Sequence, residues 1–406
     1  MALSRRQKLA LTRSTAPINI WYGSIRSSKT FAQVTDFIAR MSASQGEGVN
    51  IVIGFSTNTV WRNIFQPIFN RPEFEAIAPH LNYRRNAPEG TLFGKPFAVV
   101  GANNESSWLA IQGLTIENAW GDEAVGWPES FWEMLVSRLS LPSSRLLVTC
   151  NPGTSSHYLK ALMDSDDPDV HVEKFLLEEN PTLGVNYINR LKRMYSGLFY
   201  RRMILAEWVA AEGAVYQGWD PGQMVAPRTL EYITAIGIDY GTNHPTAGYA
   251  IGVGKSGKLE VGYEWSPNTE RGSHRRLTDR QLADSLESWL ETLPSPPQFI
   301  YCDPAAASFR EELKQRGIIT TRADNSVLDG IRQVDSLFNA GQLTIDPSCT
   351  KLQEEIASYR WDPKATEKGN DAPIKEKDDH VDALRYAVRS SRHLWGRAVR
   401  PQYGAA

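Results

Sequence analysis

Residues 18–30 read Ile-Asn-Ile-Trp-Tyr-Gly-Ser-Ile-Arg-Ser-Ser-Lys-Thr and decide the fold of the first half of the chain. The apolar run from Ile18 to Tyr22 predicts a strand, and the stretch from Thr30 to Ser42 predicts a helix. A polar loop that begins with glycine and joins a strand to a helix is typical of a phosphate-cradling loop. The stretch therefore predicts a nucleotide-binding α/β domain.

The loop residues share one predicted task, which is to surround the phosphates of ATP: Gly23, Ser24, Ile25, Arg26, Ser27, Ser28, Lys29 and Thr30. Backbone N–H groups would hold the β-phosphate, Lys29 would reach the β and γ oxygens, and Thr30 would ligate Mg²⁺. Arg26 is a candidate for stabilising charge on the same nucleotide. Ser28 stands where glycine is usual. A serine disfavours a positive φ, and this predicts weaker nucleotide affinity. The alternative interpretation is a Gly-Ser-rich turn with a helix-capping serine.

Two acidic residues, Asp122 and Glu123, follow the predicted strand from Asn118 to Gly121. We expect Asp122 to hold Mg²⁺ beside ATP, and Glu123 to orient and deprotonate the attacking water. A solvated acidic turn is the alternative, but it explains only the charges and not their position at the end of a strand. The pair therefore favours an ATP hydrolase.

A further predicted strand, from Arg145 to Thr149, runs into Cys150 and Asn151. Asn151 is predicted to lie at the nucleotide, where it would sense the γ-phosphate. Cys150 is interpreted as a small buried hydrophobe, because no activating histidine is evident. Arg138 follows the acidic strand and is a candidate charge stabiliser donated to a neighbouring subunit. A surface salt bridge is the alternative for Arg138.

The order of predicted elements indicates two mixed α/β domains. Further strands are predicted at 50–54, 97–101, 233–240, 246–252, 258–265 and 298–302, the fourth and fifth of which form a hairpin. Further helices are predicted at 130–139, 279–293, 308–316, 328–340 and 379–391. Between Leu205 and Pro227 no clean helical or strand period is present, which predicts a connector. We therefore divide the chain into a nucleotide-binding domain (1–205), a linker (206–230), a second domain (231–395) and a C-terminal tail (396–406).

Aspartates stand at three notable places in the second half. Asp239 lies in an apolar strand, Asp303 ends another, and Asp379 and Asp382 are three residues apart at a predicted helix start. A carboxylate on a core strand is costly to bury unless it is paired or bound to metal. Any one of these residues alone is more often a turn or N-cap residue, so the interpretation depends on their recurrence.

Two carboxylate positions on strands and one on a helix match the needs of two-metal phosphodiester hydrolysis, in which oxygen ligands hold two Mg²⁺ or Mn²⁺ ions. One ion would activate water and the other would neutralise the leaving 3′ oxygen. The predicted metal ligands are Asp239, Asp303, Asp379 and Asp382, and which of Asp378, Asp379 and Asp382 contacts the metal stays open, because a predicted helix start can slip by a few residues. Asp378 is a candidate N-cap of the helix. His380 is a candidate ligand, although we favour a helix-surface position for it.

The composition excludes several other classes of protein. With 406 residues, of which 41% are hydrophobic and 22% charged, the chain fits two or three globular domains. A net charge of −2 excludes a uniformly basic nucleic-acid coat. No apolar run approaches the roughly 18 residues that span a bilayer, so we expect a cytoplasmic protein without membrane contact. Cys150, Cys302 and Cys349 form no CxxC pair, which argues against a disulfide framework and a thiolate zinc site.

Contact with nucleic acid would therefore depend on local basic patches. One candidate patch comprises Arg271, Arg275, Arg276 and Arg280 around His274. Lys375 and Lys377, which flank the last acidic motif, are a second candidate. A solvated charged loop is an equally good interpretation of each.

A phosphate-loop ATPase joined to a carboxylate nuclease resembles the large terminase subunit of tailed bacteriophages, over nearly the whole chain. The motifs that carry the resemblance are the loop Gly23 to Thr30, the pair Asp122-Glu123, the coupling motif Thr149-Cys150-Asn151, and the inter-domain residues Glu207-Trp208 and Glu212-Gly213. The stretch 379–386, Asp-His-Val-Asp-Ala-Leu-Arg-Tyr, is the most specific piece.

The resemblance implies an α/β chain with an N-terminal P-loop ATPase domain, built on a mostly parallel sheet with flanking helices, and a C-terminal RNase H-like (RuvC-type) nuclease domain. It implies a motor that uses ATP to move double-stranded viral DNA into a procapsid and that cuts concatemeric DNA. The implied cofactors are ATP and Mg²⁺, with Mn²⁺ as a substitute in the nuclease site. The implied partners are double-stranded DNA, the portal protein, the small terminase subunit and further copies in a ring, a pentamer. The implied location is the host bacterial cytoplasm and, transiently, the procapsid portal.

Two other functions fit parts of the pattern. A helicase-like translocase would use the second domain only to clamp DNA, and it would lack metal-dependent nicking. A structural DNA-binding adaptor with a degenerate ATP site, suggested by Ser28, would bind nucleotide without hydrolysing it. Neither function requires all three carboxylate positions.

Overall fold

The computed structural model describes residues 3–195, 197–241, 244–267 and 277–399. The chain forms two compact units, one built mainly from Met1–Leu191 and Leu198–Ala210, the other mainly from Ala211–Thr366 and Asp371–Ala406. The change from one unit to the other at Ala210 falls within the segment that we interpret as a linker. None of the described helices is long and apolar enough to cross a membrane.

The first unit contains, in its described residues, a sheet of eight strands in the order β3-β4-β5-β2-β6-β7-β1-β8. The strands are β1 (Ile18–Gly23), β2 (Val49–Gly54), β3 (Leu81–Asn82), β4 (Glu89–Leu92), β5 (Lys95–Gly101), β6 (Ile116–Gly121), β7 (Arg145–Cys150) and β8 (Val170–Phe175). The pairs from β5 to β8 are parallel, whereas β3 and β4 form an antiparallel edge. The prediction of a mostly parallel sheet is therefore confirmed.

Helices accompany these strands along the first part of the chain. They are α1 (Arg5–Arg13), α2 (Lys29–Ala43), α3 (Thr57–Val60), α4 (Gln66–Asn70), α5 (Glu129–Ser137), α6 (Tyr158–Met163), α7 (Val185–Met194) and α8 (Gly197–Met203). A π-helical turn, Trp61–Phe65, lies between α3 and α4.

Alternating side chains of the sheet build two separate cores. In β2, Ile51 and Ile53 belong to one core and Val52 to the other. In β6, Trp120 packs against Phe37 of α2, with ring centroids 4.9 Å apart. Strands buried on both faces are apolar without polar alternation, which explains why the central strands were predictable. The edge strand β8 is only half-buried and alternates with polar residues, and it was not predicted.

The second unit contains, among the residues described, a sheet of six strands in the order β13-β12-β9-β10-β11-β14. The strands are β9 (Ala235–Asp239), β10 (Ala247–Val253), β11 (Leu259–Trp265), β12 (Phe299–Cys302), β13 (Thr321–Arg322) and β14 (Leu343–Ile345). The predicted hairpin is confirmed, because β10 and β11 are antiparallel and the N–H of Gly257 donates to the carbonyl of Gly254 at 2.9 Å. Strands β12 and β9 are parallel neighbours.

Helices surround this second sheet. They are α9 (Pro221–Met224), α10 (Asp279–Leu290), α11 (Ala307–Gln315), α12 (Val327–Asn339), α13 (Thr350–Ser358), α14 (Pro363–Glu367), α15 (Asp379–Ser390) and α16 (Arg392–Trp395). Several residues of the segment interpreted as a linker are buried in the units. Trp208 is buried in the first unit, and the N–H of Val215 donates to the carbonyl of Tyr359 in the second.

A glycine lets α15 lie directly on strand β9. A Cβ atom on Gly237 would lie 2.3 Å from the carbonyl oxygen of Ala383 and 2.3 Å from the backbone nitrogen of Ala387. Backbone atoms cannot retreat as a flexible side chain can, so only glycine fits this position. Because side chains alternate along a strand, Asp239 points to the same face as Gly237 and faces α15.

We predict that Gly237→Val destabilises the second unit by more than about 3 kcal/mol, because the new side chain would push α15 off the sheet. Denaturant unfolding followed by circular dichroism measures this change. Gly222→Ala is the matched control, because a Cβ there meets only the side chain of Asp220, at 3.3 Å. Equal unfolding midpoints for the two variants would contradict the close approach of α15.

Candidate functional site

The phosphate loop lies between β1 and α2 in a strained backbone conformation. A Cβ atom on Gly23 would lie 2.0 Å from the carbonyl oxygen of Phe175, so strand β8 demands glycine there. Arg26 and Ser28 both have positive φ, 57° and 65°. We expected serine to disfavour a positive φ, but the loop adopts this conformation at Ser28 nonetheless. The conformation costs about 1–2 kcal/mol.

The Lys29 ammonium lies inside the loop. It donates to the carbonyls of Gly23 at 3.2 Å and Ser24 at 2.9 Å and to the Ser27 hydroxyl at 3.3 Å. Burial lowers the pKa of Lys29 to about 8. These three acceptors are uncharged, so the positive charge of Lys29 is suited to an anion such as a phosphate.

Two asparagines fasten the loop to the rest of the first unit. Asn151 donates from Nδ2 to the carbonyl of Gly23 at 2.6 Å, which places this predicted nucleotide residue against the loop. Asn180, which the sequence analysis did not identify, donates to the carbonyl of Arg26 at 2.6 Å. The Arg26 side chain itself is exposed.

The carboxylate of Asp122 brings three elements together. Its Oδ1 accepts from the hydroxyls of Thr30 at 3.0 Å and Thr149 at 2.5 Å, and its Oδ2 accepts from the amide of Asn63 at 2.9 Å. The predicted pair of Thr30 and Asp122 is therefore adjacent in the structure. Asn63 was missed, because nothing in its local sequence indicates a contact with a residue 59 positions away.

A buried glutamine supports the end of the acidic strand. Gln33 of α2 donates from Nε2 to the carbonyls of Gly121 at 2.7 Å and Leu147 at 2.9 Å. This amide links β6 to β7 directly before Asp122. Its signal in the sequence is a polar residue on the apolar face of a predicted helix.

The other predicted residues of the first unit differ in position. Glu123 is exposed at the same end of the sheet, with a φ of 61°. Arg138 ends α5, and its carbonyl accepts from the N–H of Ile116 at 3.0 Å, at the start of β6. Arg138 therefore lies at the opposite end of β6 from Asp122, and the structure does not bring it to the phosphate loop of its own chain.

The three cysteines are free and buried. Burial raises the pKa of the Cys150 thiol to about 12 and also raises those of Cys302 and Cys349. The interpretation of Cys150 as a small buried hydrophobe is confirmed.

We predict that Ser28→Gly stabilises the first unit by about 0.5–1 kcal/mol, because relief of the left-handed strain exceeds the entropy cost of glycine. Thermal unfolding without nucleotide measures the change. Ser28→Ala is the control and should leave stability nearly unchanged, since the Ser28 side chain makes no capping hydrogen bond. A less stable glycine variant would show that the loop is not strained at this residue.

Asp239 and Asp303 end neighbouring parallel strands of the second unit. The N–H of Asp303 donates to the carbonyl of Ile238 at 3.0 Å, which places the two carboxylates side by side. Burial raises the pKa of Asp239 well above its usual value, and the charges of Asp382, Asp303 and Asp379 raise it further. The structure therefore brings together the carboxylates that the sequence analysis predicted on two strands and a helix.

The acids at the start of α15 have different surroundings. Burial and the charge of Asp378 raise the pKa of Asp379 to about 6. Asp382 is bound by Arg385, with Nη2 2.9 Å from Oδ2 and Nε 3.2 Å from Oδ1. Asp382 is therefore held in an ion pair within the fold, whereas Asp379 keeps a carboxylate suited to a cation.

Asp378 does not act as the predicted cap. It occupies the N-cap position of α15, but its side chain accepts no capping hydrogen bond and pairs with Lys375, whose Nζ lies 3.0 Å from Oδ2. This pairing also changes the interpretation of Lys375, because an ion-paired lysine is a weaker candidate for gripping a phosphate. Lys377 is exposed, with a φ of 54°.

The arrangement of these side chains bears on metal binding. Within residues 3–195, 197–241, 244–267 and 277–399, no three His, Cys, Asp or Glu side chains are already arranged to hold one ion. Like charges gathered at Asp239 nevertheless form a negative potential that a divalent cation would relieve. The donor set of carboxylate oxygens fits Mg²⁺ or Mn²⁺.

A glutamate from another helix caps α15. Oε1 of Glu355 in α13 accepts from the N–H groups of His380 at 2.9 Å and Val381 at 3.1 Å. His380 is buried, and its Nδ1 lies 2.5 Å from the hydroxyl oxygen of Tyr249, so our preference for a helix-surface histidine was wrong. The sequence analysis identified neither α13 nor Glu355, which is a polar residue beside Ile356 among the buried residues of this helix.

We predict that Glu355→Leu destabilises the second unit by more than about 2 kcal/mol, because two buried N–H groups lose their acceptor. Glu355→Gln, which keeps an acceptor oxygen, is the matched control. Burial raises the pKa of Glu355 in the fold to about 8. Thermal unfolding measures both variants.

The pKa of Glu355 also predicts a pH dependence. A carboxyl whose folded pKa is raised stabilises the fold below its unfolded pKa, and this stability is lost as the pH rises to about 8. Wild type should therefore lose stability relative to Glu355→Gln between about pH 5 and 9, by about 2–4 kcal/mol. Parallel pH profiles for the two proteins would contradict the raised pKa.

The first candidate basic patch falls mostly outside the described residues, which exclude Arg271, His274, Arg275 and Arg276. Arg280 lies in α10, and its carbonyl accepts from Nη2 of Arg316 at 3.2 Å.

Comparison with known proteins connects both sites to one family. The family model described as "Terminase large subunit, T4likevirus-type, N-terminal" matches residues 20–220, and the model described as "Terminase RNaseH-like domain" matches residues 236–390. The large terminase subunit of Escherichia phage T5 is 26% identical over 229 residues, which cover 52% of this chain and 50% of that relative. The match therefore spans only half of the phage T5 protein.

Solved structures match nearly the whole chain. The large terminase of a thermophilic bacteriophage is 30% identical, with a TM-score of 0.86, over 95% of this chain and 98% of that one. The same protein in complex with ADP gives 29% identity and a TM-score of 0.85 over the same shares. The predicted α/β fold, with an RNase H-like second domain, is confirmed. Because these matches extend over both units, the chain belongs to the family of bacteriophage large terminases.

Proposed function

We propose that this chain is a packaging motor that uses ATP to move double-stranded viral DNA into a procapsid and that cuts concatemeric DNA. The observation that carries the proposal is the gathering of Asp303, Asp379 and Asp382 around the buried Asp239. Asp382 is ion-paired with Arg385, but the remaining carboxylates repel one another, and a divalent cation would relieve this repulsion. The other unit of the chain carries a phosphate loop.

The first unit is the proposed ATPase. Lys29 meets the β and γ phosphates, while Thr30 and Asp122, already hydrogen-bonded at 3.0 Å, hold Mg²⁺. Glu123 orients and deprotonates the attacking water, and Arg26 stabilises charge on the same nucleotide. The large terminase of the thermophilic bacteriophage was solved in complex with ADP and with ATP-γ-S, which supports nucleotide binding by this chain.

Arg138 is proposed to act on a neighbouring copy. Its position at the far end of β6 excludes a contact with the phosphate loop of its own chain. A role in catalysis therefore requires that copies assemble, and we propose a ring, a pentamer, on the portal.

The second unit is the proposed nuclease. We assign metal binding to Asp239, Asp303 and Asp379, with Asp382 as a further acid that Arg385 holds in place. Bound Mg²⁺, or Mn²⁺ in its place, would activate water and neutralise the leaving 3′ oxygen. These residues supply the carboxylate oxygens. The close packing of α15 on β9 holds the carboxylates of the two elements in fixed positions.

The remaining assignments follow the family. We propose residues 1–205, 206–230, 231–395 and 396–406 as ATPase domain, linker, nuclease domain and tail. Double-stranded DNA, the portal protein and the small terminase subunit are the proposed partners. The host bacterial cytoplasm and, transiently, the procapsid portal are the proposed locations.

A double dissociation tests the proposal with the full chain. Asp239→Asn should abolish Mn²⁺-dependent nicking of supercoiled plasmid and leave ATP hydrolysis intact. Glu123→Gln should lower ATP turnover by about 10²-fold or more and leave nicking intact. Asp284→Asn, which alters an exposed ion pair with Arg316, is the matched control for the second unit.

The outcome separates this function from a second candidate. A translocase with a non-cleaving DNA clamp is favoured by the absence of a ready-made three-residue metal site in the described part of the chain. DNA-stimulated ATP hydrolysis without nicking by the wild type would support the clamp. Nicking that persists in Asp239→Asn would remove Asp239 from the site.

A further inference from the structure

A π-helical turn carries Asn63 to the acidic end of β6. The turn, Trp61–Phe65, interrupts the helical stretch from Thr57 to Asn70. A π turn contains one more residue than an α turn and is found frequently at functional sites, because it displaces a side chain from the regular helical stripe. Asn63 lies in the middle of this turn, and the nucleotide motifs do not include it.

Core packing fixes the turn in place. Ile64 and Phe65 are buried, and the Phe65 ring stacks on Phe97 of β5 with centroids 5.2 Å apart. Val60 and Ile68, before and after the turn, are fully buried in the same core. The backbone that carries Asn63 is therefore anchored on both sides, and its side chain projects from a rigid element.

Both ends of the Asn63 amide are engaged. Nδ2 donates to Oδ2 of Asp122 at 2.9 Å, and Oδ1 accepts from Nε of Arg62 at 3.2 Å. With Oδ1 directed at the exposed Arg62, the donor end of the amide faces the carboxylate. The two oxygens of Asp122 consequently have separate partners, with Thr30 and Thr149 on Oδ1 and Asn63 on Oδ2.

We propose that Asn63 is a positioning residue for the metal-holding acid of the ATPase. By holding Oδ2, Asn63 prevents the carboxylate of Asp122 from rotating and keeps Oδ1 directed at the Thr30 hydroxyl. This inference rests on the proposed function, because it assigns Asp122 and Thr30 to the Mg²⁺ of a bound nucleotide. Residues that orient a metal ligand commonly affect metal affinity or activity by about 10- to 100-fold, which makes the role measurable.

The role differs from that of a structural asparagine in what it changes. A residue that only stabilises the fold would alter the unfolding temperature of the first unit and leave the Mg²⁺ requirement unchanged. A residue that orients Asp122 would alter the Mg²⁺ requirement and kcat, and leave nucleotide binding without Mg²⁺ unchanged.

The experiment compares the full-length wild type with Asn63→Leu, which keeps the branching of the side chain but lacks the donor, and with Asn63→Ala as a smaller second variant. Gln66→Ala is the matched control, because Gln66 is an exposed amide at the start of α4. Two quantities are measured, namely ATP turnover as a function of Mg²⁺ concentration and the Kd of ADP with and without Mg²⁺.

We expect Asn63→Leu to lower kcat by about 10-fold or more and to weaken the Mg²⁺-dependent gain in ADP affinity by a similar factor. The KM for ATP at saturating Mg²⁺ and the Kd of ADP without Mg²⁺ should stay within about twofold of the control. Arg62→Gln, which removes the hydrogen bond from Arg62 to Asn63, should change the same quantities in the same direction by a smaller factor.

Each other outcome has a defined meaning. An Asn63→Leu protein with the Mg²⁺ profile of the control overturns the inference, even if its unfolding temperature falls. A wild type that binds Mg²⁺ and ADP together without hydrolysing ATP contradicts the proposed function alone. The Kd of ADP with and without Mg²⁺ then still tests whether Asn63 positions Asp122. A wild type with no Mg²⁺-dependent nucleotide binding overturns both.

Discussion

A carboxylate placed at the end of a buried strand is the constraint on which both units depend. Such a group loses its hydration and must recover the cost from donors or from a cation. In the first unit, Asp122 recovers it from Thr30, Thr149 and Asn63. In the second unit, Asp239 faces further carboxylates. Its pKa is raised because burial and the neighbouring acids both disfavour the charged form. The same placement thus gives a satisfied acid in one unit and a site that favours a cation in the other.

The helices near these acids have matching tasks. In the first unit, α2 begins with the phosphate loop and carries Gln33, whose amide joins β6 to β7. In the second unit, α15 lies so close to β9 that only Gly237 fits beneath it, and Glu355 caps its first turn. Each acidic strand end is therefore paired with a helix that cannot shift without breaking several contacts. A rigid helix of this kind can hold a catalytic side chain closely enough in position to keep its hydrogen bonds.

Much of this arrangement could be predicted from the sequence, because the relevant signals are local. A strand buried on both faces is mostly apolar, as β1 is apart from Asn19, and a phosphate loop occupies consecutive positions, so the two were identified together. The strand-end aspartates were identified for the same reason. The structure then brought Asp239 and Asp303 side by side through the parallel pairing of β9 with β12.

The remaining features depend on tertiary contacts. Neither Asn63 nor Glu355 has a local motif, because each acts on a residue far along the chain. Arg138 lies at the start of β6, away from the phosphate loop of its own chain, and its predicted role at the nucleotide of a neighbouring subunit stays a prediction. His380 was misplaced because its polar character concealed a buried contact with Tyr249. Ser28 shows the reverse case, in which the loop overrides a local preference.

The burial of all three cysteines gives this chain a practical advantage for spectroscopy. Their thiols stay protonated and shielded at neutral pH, so an alkylating dye would react slowly with the native protein. A single cysteine introduced at an exposed position would then be the preferred site of labelling, without prior removal of Cys150, Cys302 or Cys349. A fluorophore placed in this way, in either unit, would report on nucleotide binding in an otherwise unaltered chain.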